Sequence, residues 1–551
     1  MSHARCTIHA AHIAVVGQYL SALLIALEST VMRYRLSSRR HAFLGAALLA
    51  ALPTLASAQN AQADARGAQP LTVSEAVRLA LEHNLGIRIA RIDPQVQDLI
   101  IAQVRASWRP IFMSSFANTS TESPTNSFLS GGVGPSISDD RLIGTAGLQQ
   151  SVPRWGGRYT LGWDTGRSLT TNVFSNFNPQ MRSSFSFSFT QPLLRNFSID
   201  SVRQQLLAAE KSREIADLGL QSTVLNTTRS VRNAYWELVS AIASLDMHRQ
   251  SLELAREQLR NNRARIEIGT LAPIDIVEAE SEVGQREEAV ILGEAEVERA
   301  EDALRTQVYD PQSPDFWTIG VVPADAPPFE PMPLDIDRAV RRALEQRTDL
   351  LQARRRLEST ETSIRFARDQ TLPEVNAQFD YGLVGLGGTQ LLRGPGFPGE
   401  IVGETTRSFG SVLGDLVTHD FPTWTLAVNV SYPIGNSQQE ANLARARLQY
   451  SQSQTQLRSE ELQVTTQVRD LGRQVRTNQR RVGTTRVSRE LAQRRLDAEQ
   501  KKFAAGTSTS FFVFQAQRDL SQAQNNELRA ILDYNKSVVD FETVQEAPLG
   551  Q

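Results

Sequence analysis

The sequence predicts an α+β membrane protein in which strands from several copies close a transmembrane β-barrel, and long antiparallel coiled-coil helices continue the barrel as a tunnel. Three observations lead to this fold class. They are an export signal, segments that alternate apolar and polar residues, and helices with a seven-residue apolar repeat. The 551-residue chain also repeats itself once, so we expect two copies of one large unit.

The N-terminal segment has the features of an export signal. Four arginines and then an apolar run follow Met32, and residues 56–58 (Ala-Ser-Ala) have the small-x-small form that signal peptidase cuts. The alternative, a short membrane anchor, would need a longer apolar run. We therefore expect an N-terminal extension and signal peptide over residues 1–58, with translation beginning at Met32. The sole cysteine, Cys6, would then be absent from the mature chain.

Composition excludes several classes of protein. The chain has 58 basic and 60 acidic residues, a balance unlike that of a nucleic-acid-binding protein. A single cysteine permits neither a disulfide framework nor a thiolate metal site, and the seven histidines are scattered. The sequence has no phosphate-binding GxxxxGK[ST] motif. We expect no catalytic site, no cofactor and no metal site.

The internal repeat defines the domain organisation. "LTVSEAVRLALE" (71–82) resembles "LDIDRAVRRALE" (334–345), and "GTLAPIDIVEAESEV" (269–283) resembles "GTSTSFFVFQAQRDL" (506–520). Further matched blocks keep the same order, which chance similarity between two helices would not produce. The predicted segments after the signal are a disordered linker (59–70), repeat one (71–309), a Pro-rich linker (310–333), repeat two (334–545) and a tail (546–551).

Strands are predicted in both repeats. In repeat two, residues 375–383 and 424–432 alternate apolar and polar side chains over nearly ten residues, the length of a tilted membrane strand. Between them, Gly382–Asp420 is predicted to be a flexible Gly-rich loop. In repeat one, a strand is expected near 111–118 and another at the alternating "SFSFSF" (184–189).

The apolar face of these strands is expected to face lipid, and the small polar face a wet interior. The alternative is a soluble sandwich with one wet face, but the export signal favours the membrane. An extra hairpin, 142–170, either lengthens the extracellular region or adds strands. The expected lipid-facing residues are Phe185, Phe187, Phe189, Trp424, Leu426, Val428 and Val430.

After each terminal strand the period changes from two to seven. Apolar residues recur every seventh position from Val231 to Ile266 and again from Val468 to Phe503, with Arg489 as the one break. Each helix would reach roughly 100 Å at 1.5 Å per residue. Antiparallel return helices are expected over Ile274–Tyr309 and Ser510–Gln545, and Pro192 and Pro433 mark the strand-to-helix junctions. Taken alone, the helices would suit a non-pore coiled-coil scaffold or adaptor protein.

The ordered blocks resemble the TolC family of outer-membrane efflux proteins. The resemblance is carried by the duplicated "LxxxxAVxxALE", a strand ending in Gln-Pro-Leu or Tyr-Pro-Ile, and a Gly-Thr tip before the return helix. It implies a homotrimer in the outer membrane of a Gram-negative bacterium, with four strands per chain in a twelve-stranded barrel. It also implies a periplasmic adaptor, an inner-membrane pump, and a passive conduit for efflux or for secretion of a protein.

The resemblance further implies that the helix tips close the tunnel. Gly269, Thr270, Gly506 and Thr507 would form tip turns and contact the adaptor. The stretch 511–515 has no carboxylate, so either an apolar constriction or simple helix packing would explain its phenylalanines. The candidate gate residues are Asp275, Phe503, Phe511, Phe512, Phe514 and Gln515.

Overall fold

The computed structural model describes residues 69–126, 131–132, 134–268, 273–325, 329–331, 333–435 and 437–545. The expected signal region with Cys6 and Met32, the tip residues Gly269 and Thr270, and the tail 546–551 lie outside the described residues.

The strands belong to one large sheet and one short parallel pair. Their bounds are β1 (Gln69–Leu71), β2 (Ile111–Pro124), β3 (Ser136–Ser151), β4 (Arg158–Thr170), β5 (Phe177–Pro192), β6 (Val321–Pro323), β7 (Glu374–Arg393), β8 (Ile401–Arg407) and β9 (Pro422–Ser431).

Four of the described helices are long, with 35 or 67 residues, and the others have 10 to 22 residues. Their bounds are α1 (Val73–His83), α2 (Leu85–Ala106), α3 (Ser201–Glu267), α4 (Ile274–Val308), α5 (Ile336–Gln346), α6 (Thr348–Asp369), α7 (Phe409–Thr418), α8 (Gln438–Ala504) and α9 (Ser510–Val544). Within the described ranges, no helix has both the length and the apolar character needed to cross a bilayer.

The large sheet is antiparallel throughout and has seven strands in the described part of the chain, in the order β2-β3-β4-β5-β7. The 20-residue β7 then pairs with β9 along its first half and with β8 along its second. The extra hairpin 142–170 forms β3 and β4 inside this sheet. It therefore adds two strands to the four that the family resemblance implies.

The strand register gives the sheet one apolar and one polar face. Phe187 stands opposite Leu161 on one side and Tyr381 on the other, and Tyr381 stands opposite Trp424. On the other face, Ser186 lies between two glycines of the neighbouring strands. Because side chains alternate across a strand, the aromatic residues of four strands share one surface.

The region 382–420 corrects the sequence prediction, because it is not a flexible loop. β7 continues to Arg393, and β8 and α7 follow. The glycines that suggested a loop allow α7 to lie directly on the sheet. A Cβ at Gly385 would lie 2.1 Å from the backbone oxygen of Val412, whose side chain is fully buried.

The long helices form two antiparallel pairs of equal size. Helices α3 and α8 have 67 residues each, and their return helices α4 and α9 have 35. Helix α3 packs on α4 and on α9, and α9 packs on α8, so the order side by side is α4–α3–α9–α8. Helix α2 packs on α3, and α6 packs on both α3 and α8.

The seven-residue repeats form the buried seams of these pairs. Val231 and Leu238 are fully buried in α3, as are Val468, Val475 and Val482 in α8. The predicted break at Arg489 has a partner, because its guanidinium lies 2.5 Å from a carboxylate oxygen of Glu527 on α9.

A short parallel strand pair, formed by β1 and β6 and called the strap below, joins residues 69–71 to the linker between the two repeats. β1 pairs with β6 in parallel, so residues 69–70 of the expected disordered linker and part of the Pro-rich linker are both in strands. The buried hydroxyl of Tyr235 donates to the carbonyl of Leu71 at 2.9 Å. The carboxylate of Asp325 accepts from the backbone N–H of Val73 at 2.8 Å.

Candidate functional site

The second tip turn joins α8 to α9 through a tight backbone arrangement. The N–H of Gly506 donates to the carbonyl of Phe503 at 3.1 Å, and the N–H of Thr507 donates to that of Lys502 at 2.9 Å. Gly506 has φ of +76°, in the left-handed region that favours glycine. The two predicted residues of this turn thus end the helix. Their counterparts Gly269 and Thr270 lie outside the described residues.

A carboxylate fastens the end of α8 to this turn. Glu499 accepts hydrogen bonds from Lys502 at 2.7 Å and from the hydroxyl of Ser508 at 2.9 Å. These two hydrogen bonds, with the one from Lys502 the stronger, hold the pKa of Glu499 below its ordinary value of 4.5. The ionised carboxylate therefore stabilises the closed turn.

The three tip phenylalanines have different environments. Phe514 is only 3% exposed, and its neighbour in the chain, Val513, belongs to an apolar cluster with Leu496 and Ala516. Phe511 and Phe512 are 49% and 51% exposed, and their rings meet edge to face with centroids 5.6 Å apart. Of the three, Phe511 and Phe512 present apolar surface at the tip.

The remaining candidates in the second half make contacts along the helices. The guanidinium carbon of Arg265 on α3 lies 4.5 Å from the ring centroid of Phe503, a cation–π geometry that ties the two helix pairs together. The side-chain amide of Gln515 donates to Asp519 one turn further along α9, at 3.0 Å.

Asp275 connects the two tips. One of its carboxylate oxygens accepts a hydrogen bond from the hydroxyl of Ser510 at 2.8 Å, although the two residues are 235 positions apart. Ser510 is 2% exposed, and its helix begins beside that of Asp275. The first-tip carboxylate is therefore bound to the second tip within one chain.

A second polar contact between the tips involves residues outside the predicted site. Glu282 on α4 is nearly buried, accepts from Arg286 with a closest distance of 2.7 Å, and lies 3.8 Å from Arg518 on α9. The i,i+4 spacing of Glu282 and Arg286 signals the first contact. The contact between Glu282 and Arg518 depends on how α4 and α9 pack in three dimensions, which residue spacing in the sequence does not show.

The predicted lipid-facing residues of β9 are exposed on the apolar face of the sheet. The apolar side chains Trp424, Leu426, Val428 and Val430 of β9 are 62–69% exposed. Pro192 is the last residue of β5, and Pro433 lies between β9 and α8. Among the described residues there is no group of three or more His, Cys, Asp or Glu side chains that could hold a metal ion.

Solved structures share this fold at low sequence identity. A membrane protein from Pseudomonas aeruginosa matches with a TM-score of 0.62 and 16% identity, over 88% of this chain and 94% of that chain. The Campylobacter jejuni CmeC outer membrane channel matches with a TM-score of 0.61 and 15% identity, over 86% and 85%. The open state of the Neisseria gonorrhoeae MtrE outer membrane channel matches with 0.58 and 15%, over 86% and 89%.

Comparison with known sequences identifies the family. No curated protein sequence matches the chain. The sequence model of the outer membrane efflux protein family matches residues 76–308 and 339–543, which together make up most of the chain. The chain therefore belongs to the outer membrane efflux protein family.

Proposed function

We propose that three copies of this outer-membrane efflux protein close one transmembrane barrel and one helical tunnel, a passive conduit from the periplasm to the exterior. The observation that carries the proposal is a sheet with one apolar face and two unpaired edges. Open edges are not tolerated in lipid, so the strands of one copy must pair with those of another.

The two edges are suited to pairing with each other. All residues of β2 and nearly all of β9 are exposed, and in the described chain each strand pairs on one side only. Between these edges the sheet is six strands wide, an even number, so β9 of one copy would run antiparallel to β2 of the next. Three copies of six strands would close a barrel of eighteen.

The apolar face would then contact lipid, because β9 alone leaves four large apolar side chains exposed. The apolar band of a transmembrane barrel is about 25 Å tall, and the ten residues of β9 are enough to span it. The polar face, with its serines and glycines, would line the water-filled interior. A non-pore coiled-coil scaffold would have no need for such a sheet, and we do not favour it.

The helices would continue the barrel into the periplasm, and α3 or α8 at 1.5 Å per residue reaches roughly 100 Å. The tips would close the tunnel, with Asp275, Phe511 and Phe512 at the constriction, and would open when the helix pairs spread. Gly269, Thr270, Gly506 and Thr507 would receive a periplasmic adaptor that connects the channel to an inner-membrane pump. The pump supplies the energy, and the conduit itself catalyses no reaction.

Single-channel recording in a planar bilayer tests the proposal. The purified wild-type protein, shown to be trimeric by native mass spectrometry, is expected to give discrete conductance steps. A trimer that inserts into the bilayer without conductance steps would contradict the channel. A protein that stays monomeric in lipid would contradict the closed barrel.

A further inference from the structure

The two outer helices of the row α4–α3–α9–α8 have opposite net charge. Helix α4 carries eleven acidic and three basic side chains, a net charge of −8. The last 35 residues of α8, 470–504, carry ten basic and four acidic side chains, a net charge of +6. The helices between them are nearly balanced: 233–267 of α3 has five of each sign, and α9 has three basic and five acidic side chains.

Ion pairs within the chain use only part of this charge. Three glutamates of α4 pair with arginines of α3, at 2.8–2.9 Å, and four arginines of α8 pair with acidic residues of α9, at 2.5–3.5 Å. Exposed side chains remain that make no ion pair in the described part of the chain. They are Glu278, Glu288 and Glu298 on α4, and Arg476, Arg480, Arg494 and Lys501 on α8.

The unpaired charged side chains of α4 and α8 lie on helices that also carry exposed apolar side chains. On α4, Ile291 and Leu292 are 66% and 61% exposed, and on α8, Val487 and Leu491 are 55% and 58% exposed. By helical spacing, these residues lie on the side of each helix turned away from its buried seam. An apolar stripe with flanking charges is the pattern of a coiled-coil contact with a partner helix.

The two faces also match in height. The starts of α4 and α9 lie together at the tip, as the hydrogen bond between Asp275 and Ser510 shows, and α8 ends at the turn just before α9. Ile291 lies 17 residues from the start of α4 at Ile274, and Val487 lies 17 residues from the end of α8 at Ala504. Glu298 and Arg480 each lie 24 residues from the same two ends.

We infer that the acidic face of α4 docks against the basic face of α8 in a second copy of this chain, antiparallel and in this register. A head-to-tail contact of this kind generates a ring when its rotation closes. Opposite charge on the two ends steers one copy onto the next, and like charge disfavours α4 against α4 or α8 against α8. The inference rests on the proposed trimer and specifies how its helices recognise one another.

Charge reversal tests the attraction. Arg480→Glu/Arg494→Glu, or Glu288→Arg/Glu298→Arg, is expected to lower the trimer-to-monomer ratio at low salt on the order of tenfold, because repulsion replaces attraction at each interface. All four substitutions together should restore the wild-type ratio. The control, Arg260→Glu/Arg365→Glu, lowers the net charge by the same amount as the arginine reversal, at exposed positions on α3 and α6, and should have no effect. Salt should reduce the difference between variants.

A cysteine cross-link tests the register. In a chain with Cys6→Ser, the pair Ile291→Cys/Val487→Cys should give covalent trimers under mild oxidation, since α3 and α9 separate the two positions within one copy. The control pair Ile291→Cys/Leu448→Cys should not, because Leu448 is equally exposed but lies 56 residues from the end of α8.

The outcomes separate this inference from the proposed channel. Trimers that conduct ions but tolerate either reversal, and that do not cross-link at 291 and 487, would overturn the inference and leave the channel intact. Reversals that spare the trimer and remove only binding of a purified periplasmic adaptor would assign the faces to the adaptor instead. A wild-type protein that forms no trimer would overturn both.

Discussion

The two halves of the chain have helices of equal length and sheets of unequal size. Helices α3 and α8 both have 67 residues, and α4 and α9 both have 35. The first half contributes the four strands β2–β5, whereas the second contributes β7 and β9 at full height and β8 beside the outer part of β7. The helices of the two halves must reach from one sheet to one common tip, so a change in only one of them would break the tip contacts.

The sheet is under no such constraint. Inserting an antiparallel hairpin adds two strands without reversing the direction of the next one, so α3 still leaves the sheet on the same side. The difference teaches that strand number can change in pairs while the long helices stay the same. The two halves also differ at the tips, where matched positions have different side chains.

The largest test of this comparison removes the added strands. Deleting Ser136–Phe174 joins β2 to β5 through residues 125–135 and leaves both halves with two full-height strands. Because barrel diameter grows roughly linearly with strand number, the diameter of the trimeric barrel should fall to about two thirds. Electron microscopy of the trimer in lipid nanodiscs measures this. Deleting only residues 127–130 should leave the diameter unchanged, and an unchanged diameter after the larger deletion would place the hairpin outside the barrel wall.

The second test compares a matched pair of tip positions. The repeat aligns Val277, 59% exposed, with Phe514, 3% exposed. Phe514→Ala should destabilise the second tip by about 3 kcal/mol or more, because it leaves a cavity between helices. Val277→Ala should cost less than about 1 kcal/mol. Hydrogen exchange of α9 and α4 peptides measures both local changes. Equal destabilisation by the two substitutions would show that the side chains at 277 and 514 contribute equally to packing at the two tips.

The third test separates charge from hydrogen bonding at Asp275. Asp275→Lys reverses the charge at the first tip and should shift the reversal potential in a salt gradient toward anion selectivity. Ser510→Ala removes the bond between tips and keeps the charge, so selectivity should persist while local opening becomes easier by about 1 kcal/mol. Reversal potentials that do not respond to Asp275→Lys would mean that this carboxylate does not face the pore.

The smallest expected effect is a pH dependence confined to the second tip. The lowered pKa of Glu499 means that its stabilisation is complete above about 4.5 and is lost as pH falls through the lowered value. The protection of amides at the end of α8, after correction for the intrinsic exchange rate at each pH, should therefore fall on acidification, and Glu499→Gln should abolish this change. The repeat aligns Glu499 with Asn262, which does not titrate in this range. Loss of protection at both tips, or its persistence in Glu499→Gln, would assign the change to other groups.

Much of the fold could be predicted because its elements are long and strongly periodic. The seven-residue spacing from Val231 to Ile266 predicted the α3 seam, and both residues lie within the observed helix Ser201–Glu267. Alternation placed β5, β7 and β9 in the same way. Strong local patterns of this kind specify the type of element and the buried face together.

The region around α7 could not be predicted, because its glycines have a tertiary role. Gly385 was interpreted as a loop residue, yet it gives α7 room to lie on β7. The contacts of Asp275 with Ser510 and of Glu282 with Arg518 were also missed, since they join helices far apart in sequence. Phe514 is one helical turn from both Ser510 and Arg518, which contact α4, so its burial depends on the same long-range packing of α9 and α4.

The strap at the middle of the molecule has a consequence for how the chain folds after export. The backbone of Val73 is bonded to Asp325, 252 residues later, and β1 pairs with β6 over nearly the same interval. The first strand therefore stays unpaired until the whole first half has crossed the inner membrane. When β6 arrives, the strap closes the first half into a loop, and the closing contact is among the most non-local in the chain.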